Sequence, residues 1–138
     1  MNFVIDASMA LAWCFADEGG EYAITVLDAL RSSEAVAASI WPLEVVNGLL
    51  TAERRGRIDA AAAAGYTRLL LALPIVIDPV ARGRTFEVTH ALGRKHRLTS
   101  YDAAYLELAI RLAVPVATLD APLRAASVVE GVGAFGVP

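Results

Sequence analysis

The stretch RLTSYDAAYLELAIRLAVPVATLD, residues 97–120, decides the fold class, because it indicates one helix followed directly by one buried strand. Its residues 101–113 have the apolar spacing of a helix, with Asp102 in the first turn. The following VPVATLD is a short apolar run, typical of a strand buried on both faces, and it ends at Asp120. An ionised carboxylate is costly to bury alone, so each aspartate needs a cap, a polar neighbour or a cation.

The rest of the chain continues this alternation of short apolar strands with helices. Further strands are predicted at residues 2–5, 35–39 and 75–78, with a last one near Phe135. Helices are predicted at residues 8–17, 21–33, 42–55, 59–73, about 79–97, 101–113 and from 121 onwards. We therefore predict an α/β fold with a short, mostly parallel central sheet flanked by helices in three α/β/α layers. Since the 138 residues contain no repeat or linker, residues 1–138 are predicted to form a single domain.

Composition limits where the protein acts and what it can bind. The single cysteine, Cys14, excludes an intrachain disulfide framework and suits a reducing cytosol, so we expect a cytoplasmic protein. The longest apolar run, LLLALPIVI, is too short to span a membrane and contains Pro74. The net charge of −3 argues against a broad nucleic-acid-coating surface, which leaves local basic clusters for any such contact. The hydrophobic fraction of 57% exceeds the usual ~45–50%, which favours an apolar surface for a partner or a second copy.

Three aspartates lie at the carboxyl ends of predicted strands, which is where open parallel sheets bind ligands. Asp78 precedes Pro79, so a turn or a helix cap accounts for it best. Asp6 and Asp120 each precede a predicted helix, and for both of them a helix N-cap and a ligand site remain open.

Asp102 lies near the start of a helix that is otherwise mostly apolar. It shares its helix face with Tyr105 and Leu106, so it points with the buried stripe. Glu107 and Arg111 lie on the opposite side and are spaced to form a pair. Because a helix N-terminus favours an anion, a capping role for Asp102 also stays open.

Glu44 lies in the first turn of the helix PLEVVNGLLTAERRG and shares a stripe with Asn47. This stripe lines either a cleft or a solvated surface, and the sequence leaves both alternatives open. The apolar face of the helix is predicted to consist of Leu43, Val46 and Leu50.

Several acids at strand ends and helix starts predict one acidic cluster, whose like charges need a counter-charge to remain ionised. Mg²⁺ or Mn²⁺ supplies it, because such hard cations take a few carboxylates and several waters. Zinc is disfavoured by the lack of HExxH or paired CxxC motifs, and a nucleotide-cradling loop by the lack of GxxxxGK(S/T) or GxGxxG. Chemistry through an aspartyl-phosphate is also disfavoured, since Ser8 stands where a phosphatase needs its second acid.

Three segments resemble the PIN-domain nucleases, most closely the VapC-type toxins of bacterial type II toxin–antitoxin pairs. They are VIDASMAL at the start, PLEVVNGL after the second strand, and LTSYDAAYLELAIRLAVPVATLDAPL near the end, and they span nearly the whole chain. The resemblance implies a metal-dependent endoribonuclease with Mg²⁺ or Mn²⁺ held by Asp6, Glu44, Asp102 and Asp120. It also implies supporting positions near the site for Ser8, Asn47 and Thr118.

The resemblance implies partners as well. They are an RNA substrate, a cognate VapB-like antitoxin and a second copy of the chain in a homodimer. The alternative is a catalytically inactive PIN-like module that binds RNA or protein, and the four intact acids argue against it.

Two basic clusters end predicted helices. They consist of Arg54, Arg55 and Arg57 in the first, and of Arg94, Lys95 and Arg97 in the second. Either they are surface charges that complement helix dipoles, or they contact RNA phosphates, and the two roles are compatible.

Overall fold

The computed structural model describes residues 2–15 and 17–137, and a four-stranded sheet lies at its centre. The strands are β1 (Phe3–Ile5), β2 (Ala35–Ala38), β3 (Ile75–Asp78) and β4 (Val116–Ala117). They lie in the order β3-β2-β1-β4, and every pairing is parallel, with Val4 opposite both Val36 and Val116. The carboxyl ends of all four strands therefore meet at one edge of the sheet.

Helices flank this sheet in the three-layer α/β/α arrangement that the sequence predicts. They are α1 (Ala7–Cys14), α2 (Gly20–Ala29), α3 (Trp41–Arg54), α4 (Ala60–Ala72), α5 (Arg82–Arg84), α6 (His90–His96), α7 (Ser100–Leu112) and α8 (Ala121–Val129), with a π-helical segment at Thr85–Thr89. The predicted helix at 8–17 ends early, at Cys14, and its residue 16 lies outside the described residues. Across residues 2–15 and 17–137, no helix is both long and apolar enough to cross a membrane.

The core forms where helices cover the central strands. Strands β1 and β2 are buried along their whole length, which explains their unbroken apolar sequence. Helix α7 packs against both strands and contributes Leu106, Leu108 and Ala109 to the core. The core therefore lies directly behind the edge of the sheet where β1 ends and Asp6 follows.

The strand predicted at 114–120 is wrong in length, because β4 contains only Val116 and Ala117. Beyond them the backbone N–H groups bond to side chains: Leu119 donates to Ser8 Oγ and Asp120 to Thr118 Oγ1. The strand predicted near Phe135 is also wrong. Instead, a single bridge joins Val116 to Ala134.

The predicted apolar face of α3 is wrong by one residue. Leu43 is 66% exposed, and Val46 and Leu50 are exposed as well. The buried residues of the helix are Trp41, Val45, Leu49 and Ala52. The physical reason is that these four residues form a second apolar stripe at helical spacing, and that the indole N–H of Trp41, at its start, donates to the backbone oxygen of Asp6.

Asp78 is neither a turn residue nor a helix cap, because it ends β3 and accepts two hydrogen bonds from the Arg111 guanidinium, at 2.6 and 3.2 Å. The predicted pair of Glu107 with Arg111 is confirmed, at 2.8 Å. Glu107 is only 2% exposed, however, because Arg84 covers its other side and donates to it at 2.6 Å. Ion pairs among Asp78, Arg84, Glu107 and Arg111 therefore link α5 and β3 to α7.

Candidate active site

A cleft of about 280 Å³ opens beside the carboxyl ends of β1 and β4. Its lining contains all four predicted acids together with two predicted supporting residues and a tyrosine: Asp6, Glu44, Asp102, Asp120, Ser8, Asn47 and Tyr105. The acids arrive from four different elements, namely the end of β1, the first turns of α3 and α7, and the start of α8. The fold therefore brings together side chains that lie far apart in the sequence.

Asp6 is the most enclosed of the four acids. It is the N-cap of α1, where its Oδ1 accepts hydrogen bonds from the Met9 N–H at 3.1 Å and from the Ser8 hydroxyl at 2.7 Å. Burial raises its pKa to about 6, the nearby charge of Asp102 adds to this, and the hydrogen bonds from Thr118, Ser8 and Met9 oppose it. The N-cap prediction for Asp6 is confirmed, and because Asp6 also lines the cleft, its role as a ligand stays a prediction.

Two hydroxyl groups lock the ends of β1 and β4 together. The Thr118 hydroxyl donates to Asp6 Oδ2 and accepts from the Asp120 N–H at 2.9 Å. The Ser8 hydroxyl donates to Asp6 and accepts from the Leu119 N–H at 3.0 Å. Thr118 lies behind the cleft and contacts the lining residues Asp6 and Asp120, whereas Ser8 is itself part of the lining.

Asp120 is also both a cap and a lining residue. Its Oδ2 accepts from the Leu123 N–H at 2.9 Å, which makes it the N-cap of α8. One turn later, Arg124 donates to the Thr118 backbone oxygen at 2.9 Å and lies over the Tyr22 ring. Arg124 is not among the residues predicted from the sequence, although its position four residues after Asp120 places it on the same side of that helix.

The capping alternative for Asp102 is wrong, because Thr99 is the N-cap of α7. The Thr99 hydroxyl accepts from the Asp102 N–H at 3.2 Å, while the Asp102 carboxylate points to the cleft. Burial, followed by the charges of Asp120 and Glu44, raises the pKa of Asp102 to about 6, against the opposing hydrogen bond of Thr99. The structure thus leaves Asp102 a half-buried carboxylate beside other carboxylates.

Glu44 also faces the cleft rather than a purely solvated surface. Its Oε1 accepts a hydrogen bond from the Tyr105 hydroxyl at 2.6 Å. The helix period predicts Tyr105 on the buried stripe, but it does not predict this contact. The available signal was its hydroxyl, because a buried tyrosine needs a polar partner.

The chemistry of this lining suits a hard divalent cation. Its residues include carboxylate and amide oxygens, and among the described residues no basic side chain lines the cleft. Among residues 2–15 and 17–137, no three His, Cys, Asp or Glu side chains are spaced to hold a metal ion directly. A cation that uses only one or two carboxylates and keeps several waters, as Mg²⁺ usually does, fits such a site.

The predicted basic residues lie outside the lining of the cleft. Arg54 and Arg55 are exposed at the end of α3. Arg57 forms ion pairs with Asp17 and Glu18 and lies over the Phe15 ring. In the second cluster, Lys95 pairs with Glu130, Arg94 contacts His90, and Arg97 ends α6 in the left-handed conformation. Several of these side chains therefore have a structural contact in addition to any other role.

Comparison with known proteins adds three findings. The family model described as PIN domain matches residues 3–128. Ribonuclease VapC3 from Pyrobaculum aerophilum is 28% identical over 123 residues, which cover 89% of this chain and 92% of that relative. The crystal structure of PAE2754 from Pyrobaculum aerophilum matches with a TM-score of 0.72 at 21% identity, over 98% of this chain and 88% of that chain. The last of these is a likeness of fold alone.

Proposed function

Since this chain belongs to the PIN domain family, we propose that it is a Mg²⁺- or Mn²⁺-dependent endoribonuclease and the toxin of a toxin–antitoxin pair. The observation that carries the proposal is the convergence of four carboxylates in one cleft without a basic residue among its described lining. The name of the relative Ribonuclease VapC3 supports RNA as the substrate class.

Asp6, Asp102, Asp120 and Glu44 would hold the ion together, one or two of them through carboxylate oxygens directly and the others through its waters. When bound, a divalent cation neutralises these acids and stabilises the charge that develops on a phosphodiester during hydrolysis. The chain contributes rigidity to this chemistry. Ser8 and Thr118 fix both oxygens of Asp6, and the helix caps at Asp6 and Asp120 fix the backbone on which the two carboxylates stand.

Phosphate contacts are proposed for the two basic clusters that end helices. Arg54 and Arg55 are the best placed, because both are exposed in or next to the last turn of α3, whose first turn carries Glu44. RNA that extends away from the cleft along this helix would meet their charges. Arg57, Arg94, Lys95 and Arg97 would add to affinity only where their structural contacts leave charge exposed.

A homodimer and a VapB-like antitoxin are proposed as protein partners. An apolar groove of about 300 Å³ runs between α3, α4 and β3, and it is lined by residues that include Trp41, Val45, Leu70 and Ile75. Leu71 on its rim is 86% exposed, and the described residues of α4 include none that is buried. This surface supports a second copy of the chain as its cover, whereas the antitoxin would lay a basic segment across the acidic cleft. A monomer in sedimentation at tens of micromolar would contradict the homodimer.

The proposed activity is tested by incubating the purified chain with structured RNA in MgCl₂, in MnCl₂ and in EDTA. We expect internal cleavage that requires either metal. RNA binding without cleavage in both metals would instead support the inactive PIN-like module. The observation in favour of that alternative is that, among the described residues, no three His, Cys, Asp or Glu side chains are spaced to hold a metal ion directly.

A further inference from the structure

Tyr105 joins the two helices that carry Glu44 and Asp102. It lies on α7, is only 1% exposed, and donates its hydroxyl to Glu44 Oε1 at 2.6 Å across 61 residues of sequence. Asp102 lies one turn earlier on the same helix and lines the same cleft. The hydrogen bond therefore connects one acid of the site to the helix that carries another.

This hydrogen bond has the character of a fixed constraint. A buried phenol hydroxyl is costly without a partner, and Glu44 is its one hydrogen-bond partner among residues 2–15 and 17–137. A bond from a hydroxyl to a carboxylate is shorter and stronger than one between neutral groups, as the short distance here reflects. The ring of Tyr105 is held by the core, so its hydroxyl has little freedom to move.

Glu44 gains orientation from this contact. Its long side chain begins in the first turn of α3, and it would otherwise be free to adopt several rotamers at the open mouth of the cleft. With Oε1 held by Tyr105, the second oxygen, Oε2, has a defined direction. We propose that Tyr105 is a positioning residue that fixes the Glu44 carboxylate towards a divalent cation in the cleft. The inference rests on the proposed metal-dependent function and deepens it.

The chain offers a matched control in Tyr22. Its hydroxyl donates to the Phe135 backbone oxygen at 2.7 Å, its ring lies under the Arg124 guanidinium, and neither Tyr22 nor Arg124 lines the cleft. Tyr22→Phe and Tyr105→Phe therefore remove the same kind of group, but only the second frees a carboxylate of the cleft.

The test is a calorimetric titration of the metal-free protein with Mn²⁺, which needs no RNA and no turnover. Loss of an outer partner of a metal ligand typically weakens affinity by about 10–100-fold. We expect Tyr105→Phe to weaken Mn²⁺ binding by about tenfold and Tyr22→Phe to leave it within about twofold of wild type. In the Glu44→Gln background, adding Tyr105→Phe should change the affinity no further, because the carboxylate on which it acts is gone.

The outcomes separate this inference from the function on which it rests. If wild type binds Mn²⁺ but Tyr105→Phe binds it equally well, or if the effect persists in Glu44→Gln, the positioning role is overturned and the nuclease proposal stands. If wild type shows no saturable Mn²⁺ binding, both are overturned. Melting curves without metal check that Tyr105→Phe is folded. Glu44→Asp, which leaves the core untouched but withdraws the carboxylate from the hydroxyl, should weaken binding in the same direction, and unchanged binding would also overturn the role.

Discussion

Replacing Asp102 by asparagine is expected to stabilise the metal-free protein near neutral pH. Burial, followed by the charges of Asp120 and Glu44, raises the pKa of Asp102 from 3.8 to about 6. Each pKa unit corresponds to about 1.4 kcal/mol, so the ionised carboxylate opposes folding by at most ~3 kcal/mol. Because Asp102 is only half-buried and solvent screens its charge, we expect Asp102→Asn to raise the free energy of unfolding by about 1–2 kcal/mol.

The gain in unfolding free energy of Asp102→Asn over wild type increases as the pH rises. A raised pKa means that the folded protein binds this proton more tightly than the unfolded chain. The stability that wild type gains by binding this proton is therefore complete below pH 3.8, and it is lost as the pH rises through about 6. Asp102→Asn should melt close to wild type at about pH 4 and, in EDTA at about pH 7, higher by roughly 3–5 °C for each kcal/mol gained. Mn²⁺ should raise the melting temperature of wild type more than that of the variant, because only binding to the folded state stabilises it.

Asp59→Asn is the control for the general effect of removing an acidic charge. Asp59 is the exposed N-cap of α4, accepts from the Ala62 N–H at 2.8 Å and lies outside the cleft lining. Asparagine caps a helix as well as aspartate does, so this variant should match wild type. The reasoning is refuted if Asp102→Asn is no more stable than wild type at neutral pH without metal, or if Asp59→Asn gains as much.

Three further changes test other parts of the account. Thr118→Val removes a hydroxyl that lowers the pKa of Asp6, so the acid limb of the pH–rate profile should move to higher pH, and an unmoved limb would exclude this coupling. Burial opposes ionisation of Glu107, but hydrogen bonds from Arg111 and Arg84 outweigh it and hold its pKa below the usual value. Glu107→Gln should therefore cost about 3 kcal/mol in urea unfolding at neutral pH and less below about pH 4.5, and an equal cost at both would contradict the ionic contribution. Removing Arg54 and Arg55 together should lower the slope of log affinity for RNA against log salt by about one unit for each lost phosphate contact, while an unchanged slope would leave them as surface charge.

The acids of the cleft could be predicted from sequence because local rules fix their positions. Asp6 and Asp120 follow short apolar strands and precede helices, and parallel strands bring such positions to one edge. Asp102 points inward because of its helix period. The choice between cap and cleft for Asp102 did have a local signal in TSYD, residues 99–102, because a threonine three residues before an acid is typical of an N-cap at the threonine, which the structure shows.

What the sequence could not provide depends on contacts between distant elements. The partner of Asp78 is Arg111, which lies 33 residues away, so the neighbouring Pro79 was a misleading local signal. Helix α3 has two apolar stripes, one of Leu43, Val46 and Leu50 and the other of Trp41, Val45, Leu49 and Ala52, and the sequence alone does not decide which of them turns inward. The packed structure buries the second and bonds Trp41 to the backbone at Asp6. The bond between Tyr105 and Glu44 likewise exists only once α3 and α7 are packed.

If the clustered carboxylates hold a metal that cleaves RNA, removing one of them must slow the cleavage, and a single comparison of rates decides this. The comparison sets the rate of RNA cleavage in saturating Mg²⁺ for Asp102→Asn against that of wild type, on preparations whose melting curves show that both are folded. The change keeps the shape of the side chain and removes one charge from the cleft. The account predicts a loss of roughly a hundredfold or more with a fold at least as stable as wild type, by analogy with removing one electrostatic group from a preorganised site. Cleavage by Asp102→Asn at the wild-type rate would contradict it.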